Sequence, residues 1–168
     1  AVPRTEPELP LEAHSPNQKR RYFNQRRLRD PLGEGHACTW QTRLIKVARS
    51  VGCGCCVLWG KHLETNGFKV EMTERRDIAA FKSSLSIPKE LESCHTGTID
   101  DYVIEGHVPA DAIKRLLAHR PDAIGLSVPG MPVGSPGMEG GTPEVYEVVL
   151  FGKSGSASFG RWKGSAPA

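Results

Sequence analysis

The sequence predicts an α/β fold with a mixed β-sheet flanked by helices. Three observations carry that prediction. Short β-rich runs alternate with segments of helical periodicity, two strand-like runs flank Asp100-Asp101, and VYEVVLF at Val145 to Phe151 is the strongest strand signal in the chain.

The elements follow in order. Residues 1 to about 37 contain Pro, Glu, Arg and Gln with little apolar periodicity, the signature of a disordered arm. Within that arm Arg20 to Arg29 has the composition of a short basic helix. A folded domain is expected over 42–162. Arg43 to Ala48 reads as a strand, and Arg49-Ser50-Val51-Gly52 as the loop that leaves it. Cys55, Cys56, Trp59 and Leu63 share a helical face, which Asn66-Gly67 ends. Phe68 to Met72 alternates as a second strand, and Ile78 to Leu85 forms a short helix before Pro88. Thr98-Ile99 and Tyr102 to Glu105 make a hairpin. Pro109 suits the first position of a helix that presents Ala110, Ile113, Leu116 and Leu117 and stops before Pro121. Residues 125 to 143 read as a Gly/Pro-rich loop, and Ser156 to Trp162 as an edge strand.

Composition narrows the classes of function. The 168 residues are 38% hydrophobic and 24% charged, ordinary values for a globular domain. The net charge of +3 is exceeded by the single acid-free run QKRRYFNQRRLR at residues 18 to 29, so the folded part is close to neutral. Nucleic-acid or membrane-surface attraction is therefore not expected of the domain. No apolar stretch approaches the roughly 18 residues of a membrane span, and no apolar leader segment is visible.

Cysteine usage is the informative feature. Three of the five cysteines fall within four residues, Cys53-Gly54-Cys55-Cys56, unlike a disulfide framework that closes long loops. The cluster sits where a strand hands over to a helix. Unpaired N–H groups and the helix dipole stabilise thiolate there, the form that attacks disulfides and binds metals. Three thiols at one junction suit a soft ion that accepts bridging sulfur, Cu(I) above others. A structural zinc site needs two separated ligand pairs, and one is present. Cys94, in Glu92-Ser93-Cys94-His95-Thr96, is the fourth candidate. Cys38 reads as an unpaired tail thiol, and His62, His95 and His119 as surface or helix-face residues.

The run CGCC…W…HL…NGF, then LESCHTG…DYVIEGHVPADAIKRLL, then RPDAIGLSVPGMPVGSPGME, resembles the CopG-type bacterial copper-resistance proteins over Leu44 to Phe151. The resemblance implies a thioredoxin-like fold, a periplasmic location, copper held by the cysteine cluster and redox change of the bound metal. Other periplasmic copper-handling proteins are the partners it implies. Cys53, Cys55 and Cys56 match the family's C-x-C-C, and Cys94 its later cysteine; together they would hold a thiolate-bridged, multinuclear Cu(I) cluster. His107, Met131 and Met138 match further shared residues, imidazole and thioether being sensible copper ligands. Where thioredoxin-like folds carry a cis-proline opposite the C-x-x-C, this sequence has Cys94.

Two other functions compete with copper binding. A thiol–disulfide oxidoreductase would use Cys53 and Cys56 as its catalytic pair, with Cys55 or Cys94 resolving; the third vicinal thiol, which invites scrambling, argues against it. A metal-sensing adaptor would bind an acidic partner through the basic arm and lose it when residues 1 to 37 are deleted.

Overall fold

The computed structural model describes residues 43–168. The basic arm, its expected helix at Arg20 to Arg29, His36 and Cys38 lie outside the described residues. Elements run in the order β1 (Leu44–Ser50), α1 (Gly54–Thr65), β2 (Lys69–Arg75), α2 (Ile78–Ser84), β3 (His95–Ile99), β4 (Tyr102–Glu105), α3 (Ala110–His119), β5 (Gly125–Ser127), β6 (Val145–Gly152), β7 (Gly155–Lys163) and β8 (Ala166–Pro167). A 3₁₀ turn at Lys89–Leu91 leads towards β3. The strands form one mixed sheet in the order β2-β1-β3-β4-β5-β6-β7-β8. In it β1 is parallel to β2 and antiparallel to β3, and β4 is parallel to β5. The α/β class and mixed sheet are as expected, and the arrangement is compatible with a thioredoxin-like core.

Local chemistry explains the boundaries. Cys53 is the N-cap of α1 in extended conformation, and Asn66 ends the helix with its side-chain amide donating to the His62 carbonyl at 2.8 Å. Gly67 follows at φ 94°, a left-handed turn that glycine enters without strain. Asp100 turns the β3–β4 hairpin at φ 49° and pairs with Arg43 and Arg120. Arg120 ends α3 in the left-handed region, its N–H on the Leu116 carbonyl at 2.8 Å, one residue before Pro121.

Three expectations need correction. Pro109 is the N-cap of α3 rather than its first helical residue, with ψ 144° holding it extended. Gly125–Ser127 is not loop but strand β5, wedged between β4 and β6. Gly125 packs so closely on the Val103 backbone that no side chain would fit, and three residues are too few to show alternation. Finally, β7 is not the edge, because Trp162 and Lys163 pair with Pro167 and Ala166 of β8.

Strand alternation sorts the core onto two faces. Ile104 joins Trp59 and Leu63 of α1 and Ile113, Leu116 and Leu117 of α3 in the main core. Its neighbour Val103 packs on the other face with Ile87, Leu91 and Phe151. The same alternation at the start of β3 places His95 and Thr96 on opposite faces. His95 packs against Trp59 of α1 with the rings tilted by 42° and their centroids 4.3 Å apart. Thr96 meets Lys82 of α2. None of the described helices is long and apolar enough to cross a membrane.

Candidate metal site

The turn between β1 and α1 delivers three thiols to one place. Gly52 enters at φ 77°, and the Cys53 N–H reaches back to the Ser50 carbonyl. The chain then winds directly into α1, so Cys53, Cys55 and Cys56 occupy its N-cap and first turn. The Cys53 side chain makes no capping hydrogen bond, and the cysteines sit at the positive end of the helix dipole. Arg49, at the end of β1, points its guanidinium towards the Cys53 carbonyl at 3.4 Å and pairs with Glu74 at 2.7 Å.

Cys94 comes from the residue before β3. Its Sγ lies 3.9 Å from Cys55 and 3.7 Å from Cys56, while Cys53 and Cys55 are 3.5 Å apart. Cys53 and Cys56 are joined as a disulfide with a Cα separation of 5.5 Å, and Cys55 and Cys94 are free. The four sulfurs lie within 4.8 Å of one another, and Cys94, His95 and His107 form a second such group. Cys94 belongs to both.

The imidazole arm is ordered by its hydrogen bonds. Both rings are fully buried. The Pro136 carbonyl can only accept, so His107 donates Nδ1–H to it at 2.8 Å and turns a bare Nε2 towards Cys94 Sγ at 3.2 Å. His95 Nδ1 lies 3.2 Å from the same sulfur, and its Nε2 is buried without a partner. The two ring nitrogens that do face Cys94, His95 Nδ1 and His107 Nε2, fit a donor set for a soft or borderline metal. The surface reading of His95 is thereby overturned, because β3 begins at His95, three residues earlier than Thr98, and aims its ring at α1. His62 is half-buried and accepts the Ala110 N–H at 3.1 Å, and His119 is an exposed helix-face residue, as expected.

Electrostatics favours neutral ligands until a metal arrives. Burial, reinforced by the neighbouring Cys55, pushes the Cys94 thiol up to about 12. Burial likewise holds His95 well below the ordinary imidazole range, with His107 and Lys82 adding to it, and lowers His107. The unfolded chain would protonate both rings near pH 6.5 while the folded protein resists. Stability present above pH 6.5 is therefore lost as the pH falls below it. The reduced, metal-free protein should weaken by about 1.4 kcal/mol per pH unit for each ring that stays neutral. Urea midpoints compared at about pH 7.5 and about pH 5.5 measure this, and a flat profile would mean that water reaches both rings.

The 130–139 loop roofs the cluster. Gly137, at φ 88°, lies so close to α1 that an added Cβ would stand 2.7 Å from the Cys55 carbonyl and 2.8 Å from the Trp59 nitrogen. That approach places Met138 beside the first turn of α1, half-buried, whereas Met131 is 54% exposed. Among the described residues, the four sulfurs contact one another, His95 and His107, Cys94 also hydrogen-bonds with Ser93, and no such contact joins them to either thioether.

A partly buried cluster of four cysteine sulfurs with a buried imidazole arm, set at a strand–helix junction of an α/β fold, defines a cysteine-cluster protein whose site could hold a metal ion. Comparison with known proteins agrees. The family model described as "Protein of unknown function, DUF411" matches residues 91–138. Two solved structures of the copper resistance protein CopG are similar to this chain. Form 2 is 48% identical, covering 72% of this chain and 98% of that one with a TM-score of 0.68. Form 1 is 49% identical, covering 71% and 96% with a TM-score of 0.67. Among curated proteins none matches. This chain belongs to the family of CopG copper resistance proteins.

Proposed function

We propose that the protein serves bacterial copper resistance by holding Cu(I) as its cargo in a multinuclear thiolate cluster built from Cys53, Cys55, Cys56 and Cys94. The observation that carries this reading is the convergence of four sulfurs within 4.8 Å, with Cys94 shared by a Cys–His–His group. Cu(I) is soft, and a thiolate can bridge two such ions, so closely spaced sulfurs suit it better than separated ligand pairs. His107 and His95 extend the donor set with imidazoles, which also suit Cu(II) and so support redox conversion of the metal. Met131 and Met138 serve at the mouth. A periplasmic location and other copper-handling proteins as exchange partners complete the reading; both rest on the resemblance.

An anaerobic Cu(I) titration against a competing chelator tests it on two forms of the same protein. Fully reduced protein should retain more than one copper per chain by elemental analysis. Protein oxidised at Cys53–Cys56 should bind at least about tenfold more weakly, having lost two thiolates. Equal retention by both forms, or none by either, would sink the cluster.

One observation favours a second reading. Cys53 and Cys56 are already joined, and Cys94 stands 3.7 Å from Cys56, within reach to resolve a mixed disulfide. Once an external dithiol had reduced the Cys53–Cys56 pair, a thiol–disulfide oxidoreductase would reduce a disulfide substrate without metal, its own two cysteines returning to the disulfide. That activity surviving removal of all copper would make this the leading account.

A further inference from the structure

On the opposite face of the sheet from the thiols lies a buried ion pair. Lys82 is 3% exposed and Glu105 is fully buried. The Glu105 carboxylate accepts from Lys82 Nζ, from Thr96 Oγ1 at 2.6 Å and from the Ser93 backbone N–H at 2.6 Å. Lys82 Nζ also donates to Thr96 Oγ1 at 3.0 Å. Packing alone does not account for this arrangement. Lys82 is the one fully buried residue of α2, and a buried ion pair is often no more stabilising than an apolar pair of similar volume.

Its partners are placed with a purpose. Ser93 precedes Cys94, Thr96 follows His95, and Glu105 stands two residues before His107. Gly106 closes the arrangement, since a Cβ there would fall 2.6 Å from Ser93 Cβ, and its N–H donates to the His95 carbonyl at 3.0 Å. One carboxylate thus ties down the chain on both sides of Cys94 and His95 and at the approach to His107. We propose that Lys82 and Glu105 are positioning residues of the metal site, holding Cys94 and both imidazoles in ligand geometry from across the sheet. The inference deepens the copper-binding reading and rests on it.

Outer partners that orient metal ligands typically matter by 10–100-fold in affinity. Lys82→Met/Glu105→Leu replaces the pair with apolar residues and should lower Cu(I) affinity by at least about tenfold while the protein stays folded by circular dichroism. Lys82→Met/Glu105→Gln, which keeps an acceptor for the Ser93 N–H, should recover binding to within about threefold of wild type. A folded apolar variant with wild-type affinity overturns the proposal.

A metal-free readout separates this inference from the copper reading. Alkylation of Cys94, followed by peptide mass spectrometry, should quicken at least about tenfold in Lys82→Met, where the carboxylate loses its counter-ion. That single variant decides the matter if the apolar pair fails to fold. An unchanged rate overturns the positioning role, whereas wild-type protein that retains no copper defeats the function and leaves alkylation to judge the pair.

Discussion

Replacing Cys94 with serine should lower Cu(I) affinity by at least about 100-fold, beyond the loss expected for an outer partner. Cys94 is the one residue common to the four-sulfur group and the Cys–His–His group. Its removal takes a thiolate from Cys55 and Cys56 and also unlinks His95 and His107 from them. Serine is nearly isosteric, but its hydroxyl is a hard donor that Cu(I) binds poorly. The free thiol is held near 12 by burial and by Cys55, so metal must displace a proton to bind it. Wild-type uptake should therefore release that proton, and the Cys94→Ser variant should release one fewer. Chelator competition gives the affinity and a weakly buffered titration gives the proton count. An affinity within about threefold of wild type would remove Cys94 from the site.

The largest effect on stability is expected at Trp59. Its side chain is fully buried, donates Nε1–H to the Val108 carbonyl at 2.9 Å and packs against the His95 ring. Trp59→Ala should cost about 3–5 kcal/mol through lost burial and the cavity left behind. For a domain of this size that lowers Tm by roughly 10–20 °C. Trp59→Phe should fall between, since it keeps an aromatic ring but leaves the Val108 carbonyl without its donor. Thermal unfolding of reduced, metal-free protein measures both; a loss below about 1 kcal/mol for the alanine would mean the core closes over the gap. Because Trp59 supports His95, the alanine variant should also loosen the imidazole arm.

Much of the architecture was legible before any coordinates. The helix from the cysteine cluster to Asn66-Gly67, the hairpin turning at Asp100-Asp101 and the helix ending before Pro121 depend on local signals: periodicity, caps and turn residues. These operate within a few residues of chain. Strand β5 escaped because Gly125-Leu126-Ser127 has no period of its own and is a strand only through β4 and β6. His95 escaped for a related reason. Beside Cys94 it looks incidental, and only the register of β3 turns its ring towards Trp59. Alternation from Ile99 back through Gly97 to His95 was the available signal, and assigning the strand only from Thr98 hid it.

The site divides along the same line. By itself the sequence determined that three thiols meet at a strand–helix junction, because Cys53, Cys55 and Cys56 lie within four residues of one turn and cannot be far apart. It also determined a soft-metal preference, which is a property of sulfur rather than of geometry. Only the tertiary structure decided that Cys94 closes the cluster, that two buried imidazoles flank it and that Lys82 and Glu105 grip the chain from the far face. Those residues are brought together by strand pairing and by a helix packed across the sheet. Pairing of that kind depends on the summed burial of the whole domain, and no local run of residues encodes it.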